Sequence, residues 1–389
     1  MGCSAAVGAL SSPDAASQAS GRTGIGVDAD ARERHAERTG RRLTTIPRTT
    51  PVVDGVPSWR LGSLPWRTGA ATASPRARVI IDNDFSGDPD DLFQLVHHLL
   101  SPSVDIRLVV ASHLRDGDPF DAGPDTADNA ALVAHDVFAR MGLLSTEIIV
   151  PGSNRPLADR ATPRPAPAVD AIVEEAMRAD ARPLYYVAGG GLTDLASAFL
   201  TEPRIAEALT VVWIGGGEHD GLATPPPGAM PIEYNLLIDV VAGQVVFTDS
   251  DLSIWQVPRD VYRQCLVSET ELRARVATAG PLGRYLYDEV TAVMRQAGGQ
   301  GRGDAETYAL GDSPLVLLTA LQSLFEPDPS SSRYATMSTP GIADDGRYVA
   351  TADRRRIRVY TAVDTRLMFE DLYLKLEEFA RFQAQAVPS

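Results

Sequence analysis

The run Val79-Ile80-Ile81-Asp82-Asn83-Asp84-Phe85-Ser86-Gly87-Asp88-Pro89-Asp90-Asp91 constrains this chain more than any other stretch. A short apolar segment of strand character ends in five carboxylates within ten residues. An apolar helical pattern follows, with Leu92, Phe93, Val96, Leu99 and Leu100 on one face. Asp88 reads as the N-cap of that helix and Pro89 as its first residue. Carboxylates this close repel one another, so a folded chain holds them together only with a compensating cation or raised pKa values. The bland alternative is an acidic helix start favoured by the helix dipole. That effect supplies only ~0.3–1 kcal/mol per exposed charge, too little to justify five acids. Oxygen-only ligands at this density suit a hard divalent ion, Ca²⁺ or Mg²⁺. A site at the carboxyl end of a strand is where open α/β sheets place their ligands.

Beyond this run the pattern alternates. Strands are predicted at 79–81, 106–111, 147–150, 184–188, 209–215 and 254–258. Helices are predicted at 128–141, 169–177, 195–200, 242–247, 314–324 and 369–382. Segments 348–350 and 357–362 read as a late hairpin. Alternation of this kind predicts an α/β fold with a Rossmann-like, open, mostly parallel sheet and helices on both faces. Residues 1–76 are rich in Ala, Ser, Gly, Arg, Thr and Pro and lack apolar periodicity. They are expected to form a low-complexity, disordered arm, in which Trp59, Leu61, Leu64 and Trp66 are candidates to dock on the domain of residues 77–389.

The formal charge of −15 argues against nucleic acid as a partner. No stretch reaches the ~18–20 apolar residues of a membrane span. Residues 1–10 lack the basic and apolar regions of a signal peptide, and Arg41-Arg42 is followed by no hydrophobic segment, so a cytoplasmic protein is expected. The two cysteines, Cys3 and Cys265, are not expected to pair. Lys375 is the single lysine against 35 arginines, which excludes mechanisms that need lysine.

Six motifs, in order, resemble those of the inosine-uridine-type nucleoside hydrolase family. Asp82 to Asp91 is similar to its opening D-x-D-x-G-x-D-D run, with two extra residues. Gly152 to Leu157 resembles G-x-x-x-P-L, and Gly191-Leu192-Thr193-Asp194-Leu195-Ala196 resembles G-P-L-T-N-[LI]-A. Trp213 to Gly217 resembles V-x-M-G-G, and Glu233-Tyr234-Asn235 through Asp239 resembles E-[FY]-N-x-x-x-D. Gly311-Asp312-Ser313-Pro314-Leu315 stands where the family usually has H-D-P-L-A.

The resemblance implies hydrolysis of the N-glycosidic bond of a ribonucleoside or related N-riboside. It implies Ca²⁺, ahead of Mg²⁺, held by Asp84, Asp91, the Thr193 carbonyl and Asp312. Asp84 would also be the general base toward water, Asp90 would bind ribose hydroxyls, and Glu233 and Asn235 would grip the sugar. A homodimer or homotetramer is implied too. The chemistry is coherent: carboxylates stabilise an oxocarbenium-like state, and a bound cation acidifies the attacking water.

The base side departs from the family. Its histidine before the second metal aspartate is Gly311, its A-G-N reads Ala111-Ser112-His113, and its L-T-N asparagine is Asp194. His113 and His219, both expected at the sheet's carboxyl rim, are the candidate proton donors in its place. Aromatic stacking by Trp213, Tyr234 or Tyr308 is another route. A non-catalytic nucleoside or sugar binder on the same scaffold is the alternative function. A haloacid-dehalogenase-like phosphatase would share the strand and D-x-D but needs a basic residue that is missing here. Three further features have bland readings: His97 and His98 as packed or solvated, Asp116, Asp118, Asp121 and Asp125 as a solvated loop, and Arg354 to Arg358 as a hairpin surface.

Overall fold

The computed structural model describes residues 56–67, 74–297, 305–325, 330–351 and 354–385. All of them belong to one unit spanning Thr44–Ser389. Its frame is an eight-stranded sheet in the order β3 (Ile149–Pro151), β2 (Val104–Ala111), β1 (Ala77–Asn83), β4 (Leu184–Ala188), β5 (Leu209–Ile214), β6 (Ser253–Val257), β12 (Arg356–Ala362) and β9 (Arg333–Ser338). The parallel strands are β1, β2, β3, β4, β5, β6 and β12. β9 closes one edge antiparallel to β12. β1 is buried along its length because both faces are covered. Val79 and Ile81 join one core cluster and Ile80 the other, the two-sided burial typical of parallel sheets.

The helices that cover these faces include α1 (Asp90–Leu99), α2 (Thr126–Met141), α3 (Pro167–Met177) and α4 (Thr193–Thr201). They continue with α5 (Tyr234–Ile238), α6 (Val240–Gln244), α7 (Gly280–Ala297), α8 (Pro314–Thr319) and α9 (Thr365–Gln385). β2 and β3 run outward on one side of β1, and β4, β5 and β6 on the other. The order therefore reverses between β1 and β4, which opens a crevice at their carboxyl ends. Asp82 sits in register with Val110 on one side and Ala188 on the other, so the acidic run enters that crevice directly.

Several expectations need correction. α1 begins at Asp90 with Pro89 at its N-cap, one residue later than expected. Gly87 N donates to Asp84 O at 2.7 Å, so the two extra residues form a turn ahead of the helix. Segments 348–350 and 357–362 are not paired with each other. β11 (Tyr348–Val349) pairs with β10 (Gly341–Ile342), while β12 is an interior strand between β6 and β9. The 242–247 helix divides into α6 and a wider turn over Val245–Asp249. Arg355, expected on a surface, donates to the carbonyls of Val246 and Leu252 (2.7 Å each) and caps that turn. α8 is shorter than the 314–324 pattern, and α7 was not expected at all.

Residues 1–55 and 68–73 of the expected arm lie outside the described residues. Residues 56–67 are docked. Trp59 Nε1 donates to Met141 O, and the Trp59 and Trp66 rings pack edge to face at 4.9 Å. Trp66 also meets Phe379 and Phe382 of α9. α9 carries the single lysine inward: Lys375 is buried, paired with Asp371 and donating to Ser101 Oγ at 2.9 Å. His97 Nε2 bonds the same Asp371 at 2.8 Å, and His98 meets Gln94 and Thr319 Oγ1. Both histidines of α1 are thus packed.

Candidate active site

The loop from β1 to α1 brings Asp84 and Asp91 into buried positions, with Asp90 half-buried and Asp88 exposed at the rim. Asp312, just ahead of α8, joins them from 222 residues beyond Asp90, its amide donating to Asp90 Oδ2 at 3.2 Å. Asn83 Nδ2 donates to Asp312 Oδ2 at 2.7 Å and to Gln94 Oε1 at 3.2 Å. The floor is Gly189-Gly190, just past β4. A Cβ on Gly189 would stand 1.9 Å from Asp312 Oδ2 and from Asn83 Oδ1, and one on Gly190 would stand 2.7 Å from Asp84 Oδ1. Only glycine lets the backbone approach the acids this closely.

Burial pushes the carboxyl groups of Asp84, Asp90 and Asp91 well above the usual range, and the surrounding carboxylates push in the same direction. Asp312 is raised to about 6 by burial, opposed by its bonds to Asp91 and Asn83. Beneath them burial raises Asp82 to about 7, while the Tyr186 hydroxyl that it accepts pulls the other way. The charges acting most strongly on Asp84, Asp90 and Asp91 are all acidic. Asp91 Oδ2 and Asn83 Oδ1 are buried without a partner. Among the described residues no three His, Cys, Asp or Glu side chains are grouped as they stand to hold a metal ion. The donors are nonetheless oxygens of the type that hard divalent cations select.

The other side of the crevice is built from α5. Glu233 caps its start: Oε2 accepts Gly216 N at 2.7 Å and Leu236 N at 3.1 Å, and Oε1 accepts the Tyr262 hydroxyl at 2.8 Å. Asn235 uses Nδ2 to hold the carbonyls of Gly189 and Ile214 (2.5 and 2.8 Å), which leaves Oδ1 as the acceptor it can offer. Between them, Tyr234 donates to Asp118 Oδ2. Asp118 is fully buried and also pairs with Arg115 at 3.3 Å, so the acidic loop is not uniformly solvated. Neither Asp118 nor Tyr262 belongs to a recognisable motif, and only the fold reveals them. Asn83 and Asp239 were visible within motifs but had no role assigned.

Thr193 opens α4, and its carbonyl already accepts the Ser197 hydroxyl at 2.8 Å. Its own hydroxyl donates to Asp239 Oδ2 at 2.7 Å and lies 2.8 Å from His113 Nε2. His113 Nδ1 lies 2.9 Å from Leu114 O, so both ring nitrogens are engaged. His219 is buried, stacked on Tyr348 at 4.3 Å, with Nε2 on Gln256 Oε1. The structure thus brings Asp84, Asp90, Asp91 and Asp312 together, places Glu233 and Asn235 across from them, and packs both candidate proton donors against protein partners. Trp213 is core, its Nε1 donating to Gly190 O at 3.0 Å.

The family description "Inosine-uridine preferring nucleoside hydrolase" matches residues 79–370, most of the chain. The chain belongs to this family. An inosine-uridine preferring nucleoside hydrolase of Crithidia fasciculata is 38% identical over 91 residues, which are 23% of this chain and 26% of that protein. One of Leishmania major is 34% identical over 114 residues, 29% of this chain and 34% of that protein. These matches therefore span only about a quarter and a third of the curated relatives. Among solved structures, a plant nucleoside hydrolase is 19% identical with a TM-score of 0.60. A purine-preferring ribonucleoside hydrolase from Gardnerella vaginalis is 16% identical, also with a TM-score of 0.60. Each likeness covers 78% of this chain and 99% of the other, and establishes that this family member has the nucleoside hydrolase fold.

Proposed function

We propose that the protein hydrolyses the N-glycosidic bond of a ribonucleoside or related N-riboside with the help of a divalent cation. The observation that carries this reading is the buried group Asp84, Asp91 and Asp312 at the strand-order reversal, where the charges acting most strongly on Asp84 and Asp91 are other carboxylates. Ca²⁺ fits the all-oxygen donor set, with Mg²⁺ second. Asp84, Asp91, Asp312 and the Thr193 carbonyl would hold it. Such an ion supplies the positive charge that acidifies a water and draws in sugar hydroxyls.

The remaining work falls to side chains. Asp84 takes the proton of the attacking water as general base. Asp90 and the Asn235 Oδ1 acceptor bind ribose hydroxyls, and Glu233 grips the sugar from its cap position. The carboxylates stabilise positive charge as it develops at the anomeric carbon. His113 positions Thr193 through its hydroxyl, and His219 packs behind Gln256, so neither is the first choice to protonate the leaving base. The same tied histidines, with Gly311, favour non-catalytic nucleoside binding as a second reading. A nucleoside is the expected partner, nucleic acid is not, and the family resemblance supports a homodimer or homotetramer. Among the described residues no helix is long and apolar enough to cross a membrane, and a cytoplasmic location accords with the sequence.

The test is release of nitrophenolate from p-nitrophenyl riboside, beside a panel of natural nucleosides, with Ca²⁺ and with chelator. Chelator-sensitive release that disappears in Asp84→Ala is the expected result. Binding of nucleosides without turnover of any substrate would favour the second reading.

A further inference from the structure

Residue 311 is glycine, and the space beside it is taken. A Cβ there would stand 3.2 Å from Asp90 Oδ2 and 3.4 Å from Cδ2 of Tyr262. Tyr262 follows β6 at the carboxyl rim, in the turn Arg259–Tyr262, and is half-buried. Its ring lies along Gly311, and its hydroxyl reaches Glu233 Oε1 at 2.8 Å. One side chain thus spans from the Asp90–Gly311–Asp312 side of the crevice to the Glu233–Gly216 side. The Glu233 carboxylate has its other oxygen fully committed to Gly216 N and Leu236 N. Tyr262 is therefore the only side chain seen to hold Oε1 among the described residues.

We infer that Tyr262 is a positioning and specificity-determining residue of this cleft, doing two separable jobs. Its hydroxyl sets the direction in which Glu233 presents Oε1. Its ring walls the crevice beside Gly311 and so decides the shape of leaving group that fits there. Burial and the adjacent Glu233 both hold the Tyr262 phenol protonated, in keeping with a donor to the carboxylate rather than an acid toward substrate. Gly311 and Tyr262 form a matched pair: a side chain extended from position 311 must share space with this ring.

The inference rests on the hydrolase reading proposed above, and the experiment separates the two. Wild type, Tyr262→Phe, Tyr262→Ala, Gly311→His and the double variant Tyr262→Ala/Gly311→His are assayed with p-nitrophenyl riboside, inosine and uridine. Tyr262→Phe keeps the ring and loses the bond to Glu233. It should raise KM roughly tenfold for every riboside, as loss of a hydrogen bond to a charged acceptor does, with little change in kcat. Tyr262→Ala should in addition change the inosine to uridine ratio of kcat/KM by roughly tenfold or more. Gly311→His should impair the wild-type background and be tolerated better once Tyr262 is removed. Tyr262 has no such role if wild type cleaves the nitrophenyl riboside and both Tyr262 variants match it in KM and selectivity. Purely additive effects of the 311 and 262 substitutions would likewise overturn the matched pair. If wild type cleaves no riboside, the hydrolase reading falls and the role of Tyr262 falls with it.

Discussion

Asn83 donates from Nδ2 to Oδ2 of Asp312 at 2.7 Å, which ties the last residue of β1 to the residue two before α8. The bond fixes one Asp312 oxygen and leaves the other to face its neighbours. Asn83→Ala should weaken divalent-cation affinity by roughly 10–100-fold, as loss of a ligand's supporting partner does. Isothermal titration of Ca²⁺ into both proteins measures this, and equal affinities would remove Asn83 from the cation site.

Divalent-cation binding is also readable without turnover. Ca²⁺ that binds only the folded protein stabilises it by mass action, about 2.7 kcal/mol at a hundred times Kd. Thermal unfolding should therefore move upward with Ca²⁺ and return with chelator. Asp91→Asn should lose most of that increment, because it removes one of the proposed carboxylate ligands. An undiminished increment in this variant would place the ion elsewhere.

For catalysis, Asp84→Ala should lower kcat on p-nitrophenyl riboside by at least ~10²–10⁴, the usual worth of a general base. His219→Ala should retain kcat within a few-fold, because the ring is packed on Tyr348 and Gln256. Steady-state kinetics on the two variants check both statements. A His219→Ala loss as large as that of Asp84→Ala would restore His219 as a proton donor.

The pH dependence of stability has a clear contributor in His97. Burial pulls its pKa down to about 4, helped by Lys375 and opposed by Asp371. The unfolded chain titrates near the ordinary value of 6.5 and so binds more protons between pH 4 and 6.5. The contribution is complete above pH ~6.5 and is lost as pH falls toward 4, on the order of 3 kcal/mol in all. Asp371, held at about 2 although burial alone would raise it, loses stability in the same direction at lower pH. Urea unfolding of wild type and His97→Gln from pH 4 to 8 isolates the slope, and a difference that does not vary with pH would refute it.

Docking of residues 56–67 predicts a marked cost for Trp59→Ala, ~3–5 kcal/mol by analogy with large-to-small core substitutions. Trp59 is buried against Trp66 and Phe379 and bonded to Met141 O. Denaturant unfolding gives the value, and a loss below ~1 kcal/mol would show that the segment adds little to the fold.

The central strands were legible in the sequence because burial on both faces makes them near-continuous apolar runs, as in 79–81, 184–188 and 209–214. The acidic cluster was legible because five like charges in ten residues require a reason. The pairing of β12 was not, since its partner Arg333–Ser338 is a half-exposed edge strand with little apolar content. α7 starts Gly280-Pro281 with a further glycine at 283, and this masks a helix whose support comes largely from packing on α9. The acid motifs contain Asp84, Asp90, Asp91 and Asp312, which lie near one another in the fold, but Tyr262 and Asp118 owe their place to contacts with Glu233 and Tyr234 made over 29 and 116 positions. Local pattern carries no trace of such contacts.

Lys375 has one more consequence. It is the only side-chain amine in the sequence, and it lies buried between Asp371 and Ser101. The folded surface described here therefore presents no lysine to acylating reagents, aldehyde crosslinkers or acetyl and ubiquitin transfer. Reaction at Lys375 would report opening of the α1–α9 contact, so labelling read at this one residue works as a conformational probe.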